Sequence, residues 1–109
     1  MIQDTLKRLE SRLADGSLPA DKRAELLALV AQLKSELDAL SATHPDAARS
    51  IAGFTDVSAH EATRDAPNTA LVDLSLRGLQ QSVLGLEETN PKLVTAVNAV
   101  AVALSNFGF

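Results

Sequence analysis

The stretch Leu86–Phe109, LEETNPKLVTAVNAVAVALSNFGF, decides how this chain folds. It opens with a helix stop and a helix start, Glu88-Thr89-Asn90-Pro91, and runs through apolar residues to an Asn-aromatic-Gly-aromatic end. Asn90 is a good N-cap, because its side-chain oxygen can accept an orphan backbone N–H of the first turn. Pro91 suits the first helical position, where a missing N–H costs nothing and the fixed φ is already helical. Beyond it, Leu93, Val94, Val97, Val100, Ala101 and Leu104 form a broad face that has to leave water. Ala96, Ala99 and Ala103 add a small-residue flank where another helix can come close. The face is wider than one neighbouring helix covers, and Val102 lies on the side that carries Thr95 and Asn98. A second copy of the chain is the simplest cover. The expected oligomer interface is therefore Val97, Val100, Val102, Leu104 and Phe107.

Upstream of this stretch, Val72, Leu76, Leu79, Val83 and Leu86 recur in heptads and predict a helix over about 69–88. Gly78 and Gly85 lower its intrinsic stability, so it needs tertiary packing or allows close approach. Asp65-Ala66-Pro67-Asn68 is a cluster of helix breakers and predicts a loop. Before it, about 46–64 reads as a helix with Ala47, Ile51, Phe54 and Ser58 on one face. Gly53, Thr55 and Val57 weaken that helix, and its later part is expected to be the least regular.

The clearest pattern lies further back, over about 19–41. Leu26, Val30, Leu33, Leu37 and Leu40 alternate by four and three, the spacing of a coiled-coil-like contact. Ile2, Leu6, Leu9 and Leu13 make a narrower stripe over about 2–14. Asp15-Gly16 ends that helix, glycine being free to take the left-handed cap conformation, and Ser17-Leu18-Pro19 restarts the chain. His44-Pro45 is read as a turn or capping pair at the start of the third helix, as Asn90-Pro91 is at the fifth. A shift of 46 residues lays Leu26, Val30, Leu33, Leu37 and Leu40 on Val72, Leu76, Leu79, Val83 and Leu86. It also lays Thr43-His44-Pro45 on Thr89-Asn90-Pro91, so a duplicated hairpin and two hairpins sharing a proline-anchored register both fit. The expected fold is all-α: four or five helices as antiparallel hairpins in one bundle, completed by homo-oligomerisation.

The ending resembles that of a family of short bacterial proteins catalogued as a domain of unknown function. The matching residues are Glu88, Thr89, Asn90-Pro91, Val97-Asn98 and Leu104-Ser105-Asn106-Phe107-Gly108-Phe109. That family usually has His where this chain has Asn90, so an imidazole role there does not carry over. His60-Glu61-Ala62-Thr63-Arg64 is similar to a segment of some members. Some members carry a chromosome-partitioning label, which would imply a nucleotide-binding ATPase. This chain has no G-x-x-x-x-G-K-[ST] phosphate loop, so no nucleotide partner is expected.

Composition narrows the function classes. The net charge of −4 and pI near 5.0 oppose the basic footprint that a phosphate backbone demands, so no nucleic-acid partner is expected. Aromatic residues make up 3%, which leaves little surface for stacking bases. With no cysteine, thiol catalysis and cysteine–zinc sites are excluded. Met1–Arg12 is charged and amphipathic rather than signal-like, and a cytoplasmic location is expected. Leu93–Leu104 is shorter than the roughly 20 apolar residues a span requires, and Lys92 is its only flanking cation. No membrane partner is therefore expected, although a peripheral membrane factor using this helix is one alternative. A second is a small metal-dependent enzyme or sensor. Asp56 and His60 stand at i,i+4 with Glu61 adjacent, and His44 could complete a ligand set from elsewhere. Position 64 is Arg, so the second histidine of H-E-x-x-H is missing. The leading expectation is a non-enzymatic assembly or interaction module without a cofactor, its partner being itself or another protein.

Overall fold

Five helices carry these patterns in the computed structural model, which describes residues 2–15 and 18–108. They are α1 (Ile2–Asp15), α2 (Ala20–Ser41), α3 (Pro45–Thr63), α4 (Thr69–Gln81) and α5 (Pro91–Gly108), with no strand among the described residues. The Gly16 cap, the Ser17 restart, the Ile2 side chain and Phe109 lie outside the described residues. Short connections make successive helices antiparallel neighbours. Helices α2, α3, α4 and α5 close a ring in that order, with α3 also touching α5 across it. Helix α1 covers the groove between α2 and α3. The result is an antiparallel helical bundle measuring 37 × 25 × 21 Å.

The heptad positions of α2 do what their spacing demands. Leu26, Val30, Leu33, Leu37 and Leu40 are all buried, facing a core that α1 joins through Leu6, Leu9 and Leu13. Each such side chain contributes about 1.5–3 kcal/mol on leaving water. Arg23 fastens the α1–α2 junction. Its guanidinium donates to the carbonyls of Ala14 and Leu18, each at 3.1 Å, satisfying oxygens near a helix end.

Two sequence expectations need correction. Helix α4 stops at Gln81 rather than near residue 88. Residues 82–90 form successive turns: Leu84 N–H bonds Gln81 O at 3.2 Å, Leu86 N–H bonds Val83 O at 3.1 Å, and Asn90 N–H bonds Leu86 O at 2.8 Å. Gly85 takes φ +90°, a left-handed conformation that closes off the helix. Val83 is still buried and Leu86 half-buried, so the turns keep the apolar spacing that the sequence reads as helix.

The second correction concerns α3, which is regular through Thr63 and is rotated from the expected face. Its core side is Ala48, Ile51, Ala52, Thr55, Ser58, Ala59 and Ala62, while Phe54 is turned toward water. Thr55 is accommodated because its hydroxyl donates to Ile51 O at 2.7 Å within the helix. These small residues let α3 approach four neighbours at once.

The two halves are also less alike than their register implies. Helix α2 reaches Ser41, four residues before Pro45, whereas α4 ends ten before Pro91. Phe54, which overlays Val100, is exposed while Val100 is buried.

Candidate interaction surface

Helix α5 is covered by its own chain. Val97, Val100 and Leu104 have 0% exposure, enclosed by α2, α3 and α4. The expectation that these three form an oligomer interface is therefore corrected: reaching a partner would require the bundle to open. Phe107 is half-buried, and its ring lies 5.4 Å from Lys22 Nζ in a cation–π contact that ties the end of α5 to the start of α2. Val102 does reach the surface, but in a groove shared with Asp73, Leu76, Arg77, Gln80, Ala101 and Ser105. A single valine among polar groups is ordinary protein surface.

The larger apolar exposure is on the opposite side of α4. Phe54 is 40% exposed, Val57 49%, Leu71 41% and Leu74 64%. Phe54 and Val57 are one turn apart on α3, and Leu71 and Leu74 are one turn apart on α4. The antiparallel connection through 64–68 sets the register between them. The Phe54 ring lies over Gly78, where a Cβ would stand 2.4 Å from Phe54 Cε1. That contact places Val57 opposite Leu74 and brings Leu71 toward the loop end of the same outer groove. Asn68 holds the loop, its side-chain oxygen accepting the Leu71 N–H at 3.2 Å as the N-cap of α4.

Several surface charges on α3 and α4 are paired within the chain. Arg49 bonds Asp46 at 3.3 Å, Arg64 bonds Glu61 at 3.0 Å, and Arg77 bonds Asp73 at 2.6 Å. Each pair sums to zero, although the whole chain carries −4. Periodicity does not reveal this exposure, because Phe54 shares the helical spacing of Ala47, Ile51 and Ser58, and Val57, Leu71 and Leu74 fall outside the apolar stripes. The signal that could have found it is the joint spacing of those four residues on either side of the 65–68 breaker.

The residues proposed for metal chemistry do not converge. Asp56 and His60 share the face of α3 turned to α1, where Arg12 bridges them, its guanidinium pairing with Asp56 Oδ1 and meeting His60 Nδ1 at 3.3 Å. The guanidinium of Arg12 thus links the two side chains. Glu61 bonds Arg64 instead, and His44 lies twelve residues from Asp56, about 18 Å along the helix. Among the described residues no group of three or more His, Asp or Glu could hold a metal ion. His44 occupies the N-cap position before Pro45 without a side-chain capping bond; its Nδ1 meets Thr43 Oγ1 at 2.8 Å. Asn90 precedes Pro91 and its carbonyl accepts the Val94 N–H at 3.2 Å. Its side chain donates to Thr89 Oγ1 at 2.9 Å. The two proline junctions are thus backbone starts whose side chains turn to the preceding threonine.

No described helix is long and apolar enough to cross a membrane. Comparison with known proteins finds no matching family model, no matching curated protein and no matching solved structure. The likeness of the ending to the short bacterial family therefore rests on the quoted residues alone.

Proposed function

We propose that this chain is a non-enzymatic helical assembly module that associates with itself. One observation carries the reading. The core closes within a single chain, α5 included, and yet Phe54, Val57, Leu71 and Leu74 stay exposed on α3 and α4. Exposed apolar patches of a few hundred Å² are often where a monomer binds a partner. A role for α5 at a membrane surface is disfavoured, because its apolar face is already occupied by three helices.

Sedimentation equilibrium of the wild-type chain across a concentration series tests the reading. A mass rising from 11.5 kDa toward twice that value is expected. A mass that stays at one chain throughout removes self-association as the function.

A further inference from the structure

We infer that the cleft between α1 and α3 binds a small molecule carrying a phosphate monoester. The inference is independent of self-association and uses other residues. Three observations carry it.

The first is where the chain leaves cations uncommitted. Of its ten lysines and arginines, Arg12, Lys34, Arg49, Arg64 and Arg77 pair with carboxylates. Arg23 is held by two carbonyls, and Lys22 lies over Phe107. Among the described residues, Lys7, Arg8 and Lys92 remain without a carboxylate partner. Arg8 makes only a long bond, 3.5 Å, to Thr5 Oγ1. Lys7 and Arg8 line one cleft together, whereas Lys92 stands apart at the start of α5.

The second is convergence. Lys7, Arg8, Ser11 and Arg12 occupy two successive turns on one side of α1. With Asp56 of α3 they line a concavity of about 540 Å³. Arg12 is already fixed there, its guanidinium pairing with Asp56 and meeting His60 Nδ1. A guanidinium has five N–H donors, and these two contacts leave others for a ligand. The Ser11 hydroxyl adds a neutral donor at the same turn.

The third is charge. Three cationic side chains against the Asp56 carboxylate leave the lining at net +2, in a chain of net −4. Asp4, a turn before Arg8, lies outside that lining. A phosphate monoester carries about −1.5 to −2 at pH 7 and matches the lining, which a single carboxylate does not. Guanidinium forks suit its oxygens in pairs, and the lysine adds a point charge. The volume exceeds that of the phosphate group alone and falls in the usual range for small organic ligands, about 300–1,000 Å³. A polymer of phosphates would need basic surface beyond these two turns, against the acidic balance of the chain.

Glycerol 3-phosphate is the soluble probe, and vesicles containing phosphatidic acid present the same group on a lipid. Titration with glycerol 3-phosphate should shift the amides of Lys7, Arg8, Ser11, Arg12 and Asp56, with a dissociation constant of about 1 mM or tighter. Lys7→Gln and Arg8→Gln should each weaken binding about fivefold or more. Lys92→Gln, the same change of charge elsewhere, should leave it within about twofold. All three side chains are exposed, so each variant should keep the helical circular dichroism of the wild type. Binding to the vesicles but not to the soluble probe, lost in Lys7→Gln and Arg8→Gln, keeps the phosphate site and moves its source to a lipid. Equal weakening by all three variants would reduce the effect to net charge and overturn the site. Acetate shifting the same amides as strongly at equal concentration would overturn it too. So would the absence of any shift up to about 10 mM probe together with no vesicle binding.

Discussion

Helix α5 and the α3–α4 face invert what hydrophobicity alone suggests about exposure. Helix α5 is the most apolar helix in the chain, and its Val97, Val100 and Leu104 are completely covered. The α3–α4 pair is built from shorter runs interrupted by Gly53, Asp56, Asp73 and Arg77, and it leaves two leucines, a valine and a phenylalanine in water. The difference lies in the number of neighbours. Helix α5 touches α2, α3 and α4, so a wide apolar face finds three surfaces to bury against. Helix α4 touches only α3 and α5 among the described residues, and nothing covers its third side. A wide face therefore marks a central helix as readily as an interface.

Substitutions on the two sides should separate most sharply in stability. Leu104→Ala is expected to cost about 3 kcal/mol, the usual loss for a fully buried leucine. Leu104→Asp should unfold the chain outright, because a buried, unpaired carboxylate costs more than a domain of this size can spare. Leu74→Ala, at an exposed position, should change monomer stability by less than about 0.5 kcal/mol. Urea titrations at low protein concentration measure all three. Equal losses at 104 and 74 would mean that the two faces are not different.

Helix starts sharpen the same contrast at smaller scale. Asn68 accepts the Leu71 N–H, so Asn68→Ala should cost about 1 kcal/mol. The Asn90 side chain turns to Thr89, so Asn90→Ala should cost only a few tenths, against the full cap its sequence context suggests. Thermal midpoints that fall further for Asn90→Ala than for Asn68→Ala would reverse the assignment.

A coupling between α3 and α4 adds a further contrast. Gly78→Ala gains up to about 1 kcal/mol of helix propensity, but the new Cβ collides with the Phe54 ring. In a Phe54→Ala background that collision disappears. The same Gly78→Ala change should then stabilise by about 0.5–1 kcal/mol more than it does in the wild type. Additive effects in the four-variant cycle would mean that the ring does not rest on Gly78.

Much of the fold was legible in the sequence. The alternation of four and three in Leu26, Val30, Leu33, Leu37 and Leu40 matches the side of α2 that is buried, and the breakers at 43–45 and 65–68 stand where α3 begins and where α4 is preceded by a loop. The misreadings share one cause: periodicity reports which residues lie on one side, not what holds or covers them. Val83 and Leu86 keep helical spacing through turns, so the end of α4 was hidden. The core side of α3 is largely alanine, so the bulkier Phe54 drew the assigned face toward itself. Periodicity measures the width of α5 but not its three neighbours, and three of the five interface residues it suggests, Val97, Val100 and Leu104, are already covered by the bundle.

Amide spectra of the isotopically labelled wild type, recorded across a range of protein concentrations, test the central claim most directly. The account predicts progressive shifts at Phe54, Val57, Leu71, Leu74 and Gly78 as association advances, with Val97, Val100 and Leu104 unmoved. Shifts concentrated at Val97, Val100, Val102 and Leu104, with the α3–α4 residues silent, would contradict it.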